Sequence, residues 1–116
     1  MKVYNLNILG SRWKLKVVPK DFDPMLIECD GFTDRSVREM YVYDGLADCH
    51  DVDALKSYSE YLKVVKRHEI IHAFMYESGL AQCWEHAKYG HNEEDLDWMA
   101  IQFPKMLEVF KKAEAI

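Results

Sequence analysis

The hydrophobic period of this chain changes once along its length, and that change limits what it can fold into. Between Arg12 and Val18, Trp13, Leu15 and Val17 alternate with Arg12, Lys14 and Lys16. Successive side chains of a strand point to opposite faces, so this run predicts a half-buried strand. Val3 to Leu9 is apolar and partly alternating, and Gly10-Ser11 is a turn signal before the next strand. Pro19 and the Asp21-Phe22-Asp23-Pro24 stretch end the alternation. Met25 to Cys29 predicts a third short strand, Asp30-Gly31 a turn, and Ser36 to Tyr43 a fourth strand. The connections are too short for crossover helices. Residues 1–45 therefore predict a small antiparallel sheet of three or four strands.

The second half has helical spacing. Leu55, Tyr58, Leu62, Val65, Glu69, His72 and Tyr76 recur at three and four. Asp51 or Asp53 can cap the start of this helix. Gly79 stands where a left-handed C-terminal cap belongs, with Leu80 as its apolar contact. The expected helix spans 51–79. Gln82 to Asn92 is a connecting segment. A second helix is expected over 92–115, capped by Asn92 and kinked or broken near Pro104, whose ring and missing N–H disturb a helix interior. The fold class is α+β, in one domain covering 1–116.

Within the first helix, His68-Glu69-Ile70-Ile71-His72 places two imidazoles four residues apart. Residues at that spacing share one helix face, so both rings can reach one metal ion. Glu69 follows the first ligand and projects toward the same side, where it can take a proton from water. The competing reading is a solvated helix with two unrelated histidines. Ile70, Ile71, Phe74 and Met75 surround the run and argue against it. A buried cluster of polar groups without a ligand is costly.

The run resembles the H-E-x-x-H motif of zinc-dependent peptidases. A catalytic zinc site usually takes three protein ligands and keeps one open position. The metzincin pattern fails, because Met75 and Ser78 stand where its glycine and third histidine belong. The SprT-like proteases, which act on DNA-crosslinked proteins, carry a third histidine about a dozen residues on. His86 lies at a comparable distance, but Ala87 replaces the glycine of that group. Asn92-Glu93-Glu94-Asp95-Leu96-Asp97 is similar to the N-E-x-x-x-D run of gluzincins, the thermolysin-like peptidases. It also resembles the glutamate helix of ImmA/IrrE-like, phage-associated peptidases, with Ala100 and Pro104 at comparable places.

That resemblance covers residues 50–104 and implies a minimal zincin-like fold binding one Zn²⁺ per chain. It implies His68, His72 and Glu93 as ligands, with Glu94 and His86 as alternatives for the third. Glu69 is then the general base, and Asp97 accepts a hydrogen bond from a ligating histidine, by analogy His68. The implied reaction is peptide hydrolysis on a specific protein substrate. In zincins an edge strand pairs with the extended substrate; by position this is Ser36 to Tyr43, presenting Val37, Glu39, Tyr41 and Tyr43. An edge strand with no ligand is an equal alternative for that segment. Tyr76, His86, Tyr89 and His91 are candidates for stabilising an oxyanion, each also readable as a packing or surface residue. A latent or non-catalytic zinc-binding protein of the same fold is the second reading. A SprT-like protease using His86 is the third.

Composition narrows the partners. Net charge is −5, which does not suggest a nucleic-acid surface. No segment has the apolar length of a membrane span or the apolar core of a secretion signal. Cys29, Cys49 and Cys83 are widely spaced and odd in number, which suits a reducing compartment. The expectation is a cytoplasmic protein, or one in the host cytoplasm if phage-encoded. The many aromatic residues are compatible with a homodimer.

Overall fold

The computed structural model describes residues 1–48, 55–83 and 93–116. Its first half is a four-stranded sheet. Strands β1 (Lys2–Ile8) and β2 (Ser11–Val18) form an antiparallel hairpin, and β3 (Gly31–Asp34) and β4 (Glu39–Tyr43) form another. The order across the sheet is β1-β2-β4-β3. The two hairpins join through β2 and β4, which run parallel, with Leu15 opposite Met40 and Val17 opposite Val42. The sheet is therefore mixed, and the expected all-antiparallel arrangement is corrected. A parallel pair needs a connection of about a dozen residues or more. Residues 19–38 supply it without a helix, by way of two 3₁₀ turns and β3 itself.

The Met25 to Cys29 strand is also corrected. Pro24–Ile27 is a 3₁₀ turn, because Asp23 caps it by accepting from the Met25 N–H and Pro24 sets its first turn. The first hairpin turns on Leu9 and Gly10, both at positive φ, the geometry that suits strand twist. Leu9 holds that strained conformation while its side chain packs on the core.

Helix α1 (Tyr58–Glu77) and helix α3 (Glu93–Lys112) pack on the sheet, with a short α2 (Leu80–Cys83) between them. Helix α1 begins at Tyr58, seven residues later than the expected boundary; Asp51 and Asp53 lie outside the described residues. Gly79 does take the left-handed conformation, at φ 82°, just past the helix end. Helix α3 starts at Glu93, as the position of Asn92 suggests, and continues unbroken past Pro104. It ends in a left-handed cap at Glu114 (φ 53°), where Ala115 N–H donates to Phe110 C=O.

The core lies between sheet and helices. Leu6, Ile8, Trp13, Leu15, Met40 and Val42 of the sheet meet Val65, Ile70, Ala73, Phe74, Met106, Val109 and Phe110. Lys66 sits in this buried stripe. Its ammonium donates to the Tyr4 hydroxyl and to the carbonyls of Ala113 and Glu114, while Arg67 donates to Ala115. These cations satisfy carbonyls at the C-terminal end of α3, where the helix dipole also favours positive charge. Among the described residues no helix is long and apolar enough to cross a membrane.

Glu77, at the end of α1, ties strand β2 to the turn between β3 and β4. Its carboxylate accepts from Ser11 Oγ, Trp13 Nε1 and the Arg38 guanidinium. Burial opposes its ionisation, but those three donors outweigh it and hold the carboxyl below its ordinary range. A depressed carboxyl stabilises the fold above its unfolded value, about 4.3, and loses that contribution as pH falls through the folded value. Glu77→Gln is expected to flatten the loss of stability below about pH 4. Denaturant midpoints between pH 3 and 7 check this; parallel curves for the two proteins would discount the network.

Candidate functional site

Helix α1 carries the His68 to His72 run in its central turns, and geometry separates the roles of the residues. Glu69 lies roughly 80° round the helix from the histidine pair, since each residue advances about 100°. That rotation puts Glu69 in the buried stripe with Val65 and Ile70, only 4% exposed. His68 is exposed and His72 is half-buried. The two Nε2 atoms are 3.1 Å apart, with the rings steeply inclined to each other. A tetrahedral ion with nitrogen bonds of about 2.0–2.1 Å holds two such nitrogens about 3.3 Å apart. The pair thus has the bite of a two-histidine metal chelate. The same spacing also suits an N–H···N hydrogen bond between neutral rings.

Glu69 turns its carboxylate under strand β3. Thr33 Oγ1 donates to Glu69 Oε1 at 2.8 Å. Burial pushes the carboxyl above its ordinary range, against the hydrogen bond from Thr33 and the nearby His68 and His72. A carboxyl raised above its ordinary range holds a proton more readily than a free one, which suits a group that takes and returns protons.

Strand β3 comes this close because it opens on glycine. A Cβ at Gly31 would lie 2.9 Å from Val65 Cγ1 and 3.1 Å from Glu69 Oε2. A cleft of about 240 Å³ opens beside it, lined by Cys29, Asp30, Gly31, Tyr61, His68 and Glu69 among others. Tyr61 donates to Asp30 Oδ2 at 2.9 Å and braces the cleft wall.

Strand β3 is an edge of the sheet, and β4 is not. The substrate-strand expectation for Ser36 to Tyr43 is corrected accordingly. Backbone groups of β4 are paired on both sides, to β2 and to β3. Val37 lies in the turn that joins β3 to β4, and Arg38 closes that turn at φ 53°. Glu39 pairs with Lys16, Tyr41 stacks on Phe32, and Tyr43 is buried against Tyr58. The apolar run Met25 to Cys29 competes for the edge position in the sequence, but Pro24–Ile27 forms a 3₁₀ turn and leaves the edge to β3.

The proposed third ligand and its partner fall at the start of α3. Glu93, Glu94 and Asp97 belong to that helix, but their side chains lie outside the described residues, as do His50, His86, Tyr89 and His91. Among the described residues no three His, Cys, Asp or Glu side chains gather around one point. Trp98 of α3 donates to Ser78 Oγ at 3.3 Å, which ties the early turns of this helix to the end of α1. Thr33 and Gly31 are the site residues that sequence reasoning missed. A glycine opening a short strand marks a close backbone approach, so Gly31 carried a signal; Thr33 carried none beyond strand propensity.

The fold and site together define an α+β protein with a mixed four-stranded sheet and a histidine pair on the helix packed against it. No protein-family profile, curated protein or solved structure matches this chain.

Proposed function

We propose that this protein is a small zincin-like metallopeptidase. The observation that carries the reading is the 3.1 Å approach of the His68 and His72 Nε2 atoms beside the buried carboxylate of Glu69. Both histidine donors fit a zinc ion. By resemblance the third donor is Glu93, at the start of helix α3, with Glu94 and His86 as the alternatives. Bound zinc supplies Lewis acidity, polarising a carbonyl and bringing the pKa of water toward neutral.

The chain's own residues do the rest. Glu69 takes the proton of the attacking water and passes it to the leaving amine. Thr33 fixes one carboxylate oxygen, leaving Oε2 to face the cleft side near Gly31. The open edge of β3 accepts an extended peptide by strand addition and lays it across the histidines. The cleft floored by Gly31 and Val65 receives one of its side chains.

Zinc content by elemental analysis tests the reading on wild type, His72→Ala, Glu93→Ala and His86→Ala, purified without chelator. Near one zinc per chain is expected in wild type and in His86→Ala, with loss in the other two. Loss with His86→Ala and retention with Glu93→Ala would transfer the third ligand to His86. Zinc-free wild type after reconstitution would remove the enzyme reading.

A further inference from the structure

Arg35 is the first residue after edge strand β3, and its guanidinium rests on a ring. Its Cζ lies 5.5 Å from the centroid of Tyr76. Tyr76 stands one turn beyond His72 on α1. Those two rings are 6.4 Å apart and inclined by only 23°. His68, His72, Tyr76 and Arg35 therefore form one row, leading from the imidazole pair to a cation. The row ends in a second cleft of about 300 Å³, lined by Trp13, Arg35, Ser36, Arg38, Tyr76 and Glu77.

The charges of this cleft do not cancel at Arg35. Glu77 is engaged by Arg38, Trp13 and Ser11. The Asp34 carboxylate accepts from the Ser36 hydroxyl and backbone N–H. Among the described residues no carboxylate forms an ion pair with Arg35. A guanidinium stacked on an aromatic face keeps its in-plane N–H donors free. Those donors match a carboxylate in a two-point contact. The chain as a whole has net charge −5, so an uncompensated cation here is not an overflow of basic residues.

We propose that Arg35, backed by Tyr76, is a carboxylate subsite that selects peptides bearing an acidic group near the scissile bond. The proposal rests on the metallopeptidase reading above. An extended peptide advances about 3.3 Å per residue. The ring spacings put the subsite roughly two to four residues from the histidine pair. The carboxylate can come from an Asp or Glu side chain or from the C-terminus of the peptide.

Hydroxamate-capped peptides separate these sources without requiring turnover, because the cap chelates zinc. Titration calorimetry on zinc-loaded protein would compare three sets: Glu at the second, third or fourth position with an amidated end; Gln at the same positions; and Gln with a free C-terminal carboxylate. At one position, the Glu or free-carboxylate peptide is expected to bind about tenfold more tightly than the amidated Gln peptide. Arg35→Gln should erase that gain at unchanged zinc content, and Arg35→Lys should restore part of it. Equal binding of acidic and neutral peptides would overturn the subsite and leave the zinc reading standing. Failure of every hydroxamate to bind zinc-loaded protein would overturn both.

Discussion

Glu69→Gln is expected to keep one zinc per chain and to lower peptide hydrolysis by about 10²–10⁴-fold. The amide preserves the shape of the side chain and its acceptance of the Thr33 hydroxyl, but it cannot take a proton. Cleavage of a degenerate peptide mixture, read by mass spectrometry against wild type at equal zinc occupancy, checks the result. Turnover equal to wild type would remove Glu69 from the reaction. A second consequence separates chemistry from damage. Burial already disfavours the charged carboxylate of Glu69. The neutral amide should therefore make chelator-treated protein more stable, read as a rise in its denaturation midpoint. A variant that is inactive, metal-loaded and more stable than wild type has lost a functional group and kept its fold. Loss of activity together with loss of stability would instead point to a structural role for Glu69.

Trp13→Ala carries the largest expected cost to the fold. Trp13 is 1% exposed, belongs to the main core, and donates from Nε1 to Glu77 at 2.8 Å. Truncating a buried tryptophan costs about 3–5 kcal/mol, against a total stability of about 5–15 kcal/mol for a domain. Here it also removes one of three donors to Glu77. The thermal midpoint should fall by roughly 10–25 °C. Trp13→Phe, which keeps most of the ring and drops only the N–H donor, should fall by clearly less. Circular dichroism melts of the three proteins decide it. A drop of only a few degrees in the alanine variant would mean that the core closes over the gap.

The parts of this molecule that follow from local periodicity were readable in the chain. Trp13, Leu15 and Val17 do face the helices. The histidine run does lie in a helix that ends before Gly79, and a helix does begin after Asn92. Long-range relations were less accessible. Pairing of β2 with β4 skips the intervening β3, and no turn signal announces a partner that is not next in sequence. The apolar run Met25 to Ile27 has strand composition, yet only Leu26 is buried, in a small second cluster with Val18 and Tyr43, and Asp23 and Pro24 impose a 3₁₀ turn. Lys66 in the buried stripe was unreadable for a similar reason, since its acceptors lie 47 and 48 residues away in sequence. For the site, the four-residue spacing of His68 and His72 was legible as one helix face, on which their Nε2 atoms do meet. The donation from Thr33 was not, because it depends on which strand forms the sheet edge.

The clamp of Lys66 and Arg67 on the carbonyls of Ala113 to Ala115 makes the histidine helix depend on a distant part of the chain. A nascent chain lacking residues 113–115 has the Tyr4 hydroxyl for Lys66, and the other acceptors of this ammonium do not yet exist. The turn of α1 just before His68 is therefore held by backbone acceptors beyond the end of α3. The segment that carries the imidazole pair is thus anchored at its N-terminal side by backbone groups 47 and 48 residues further along the chain.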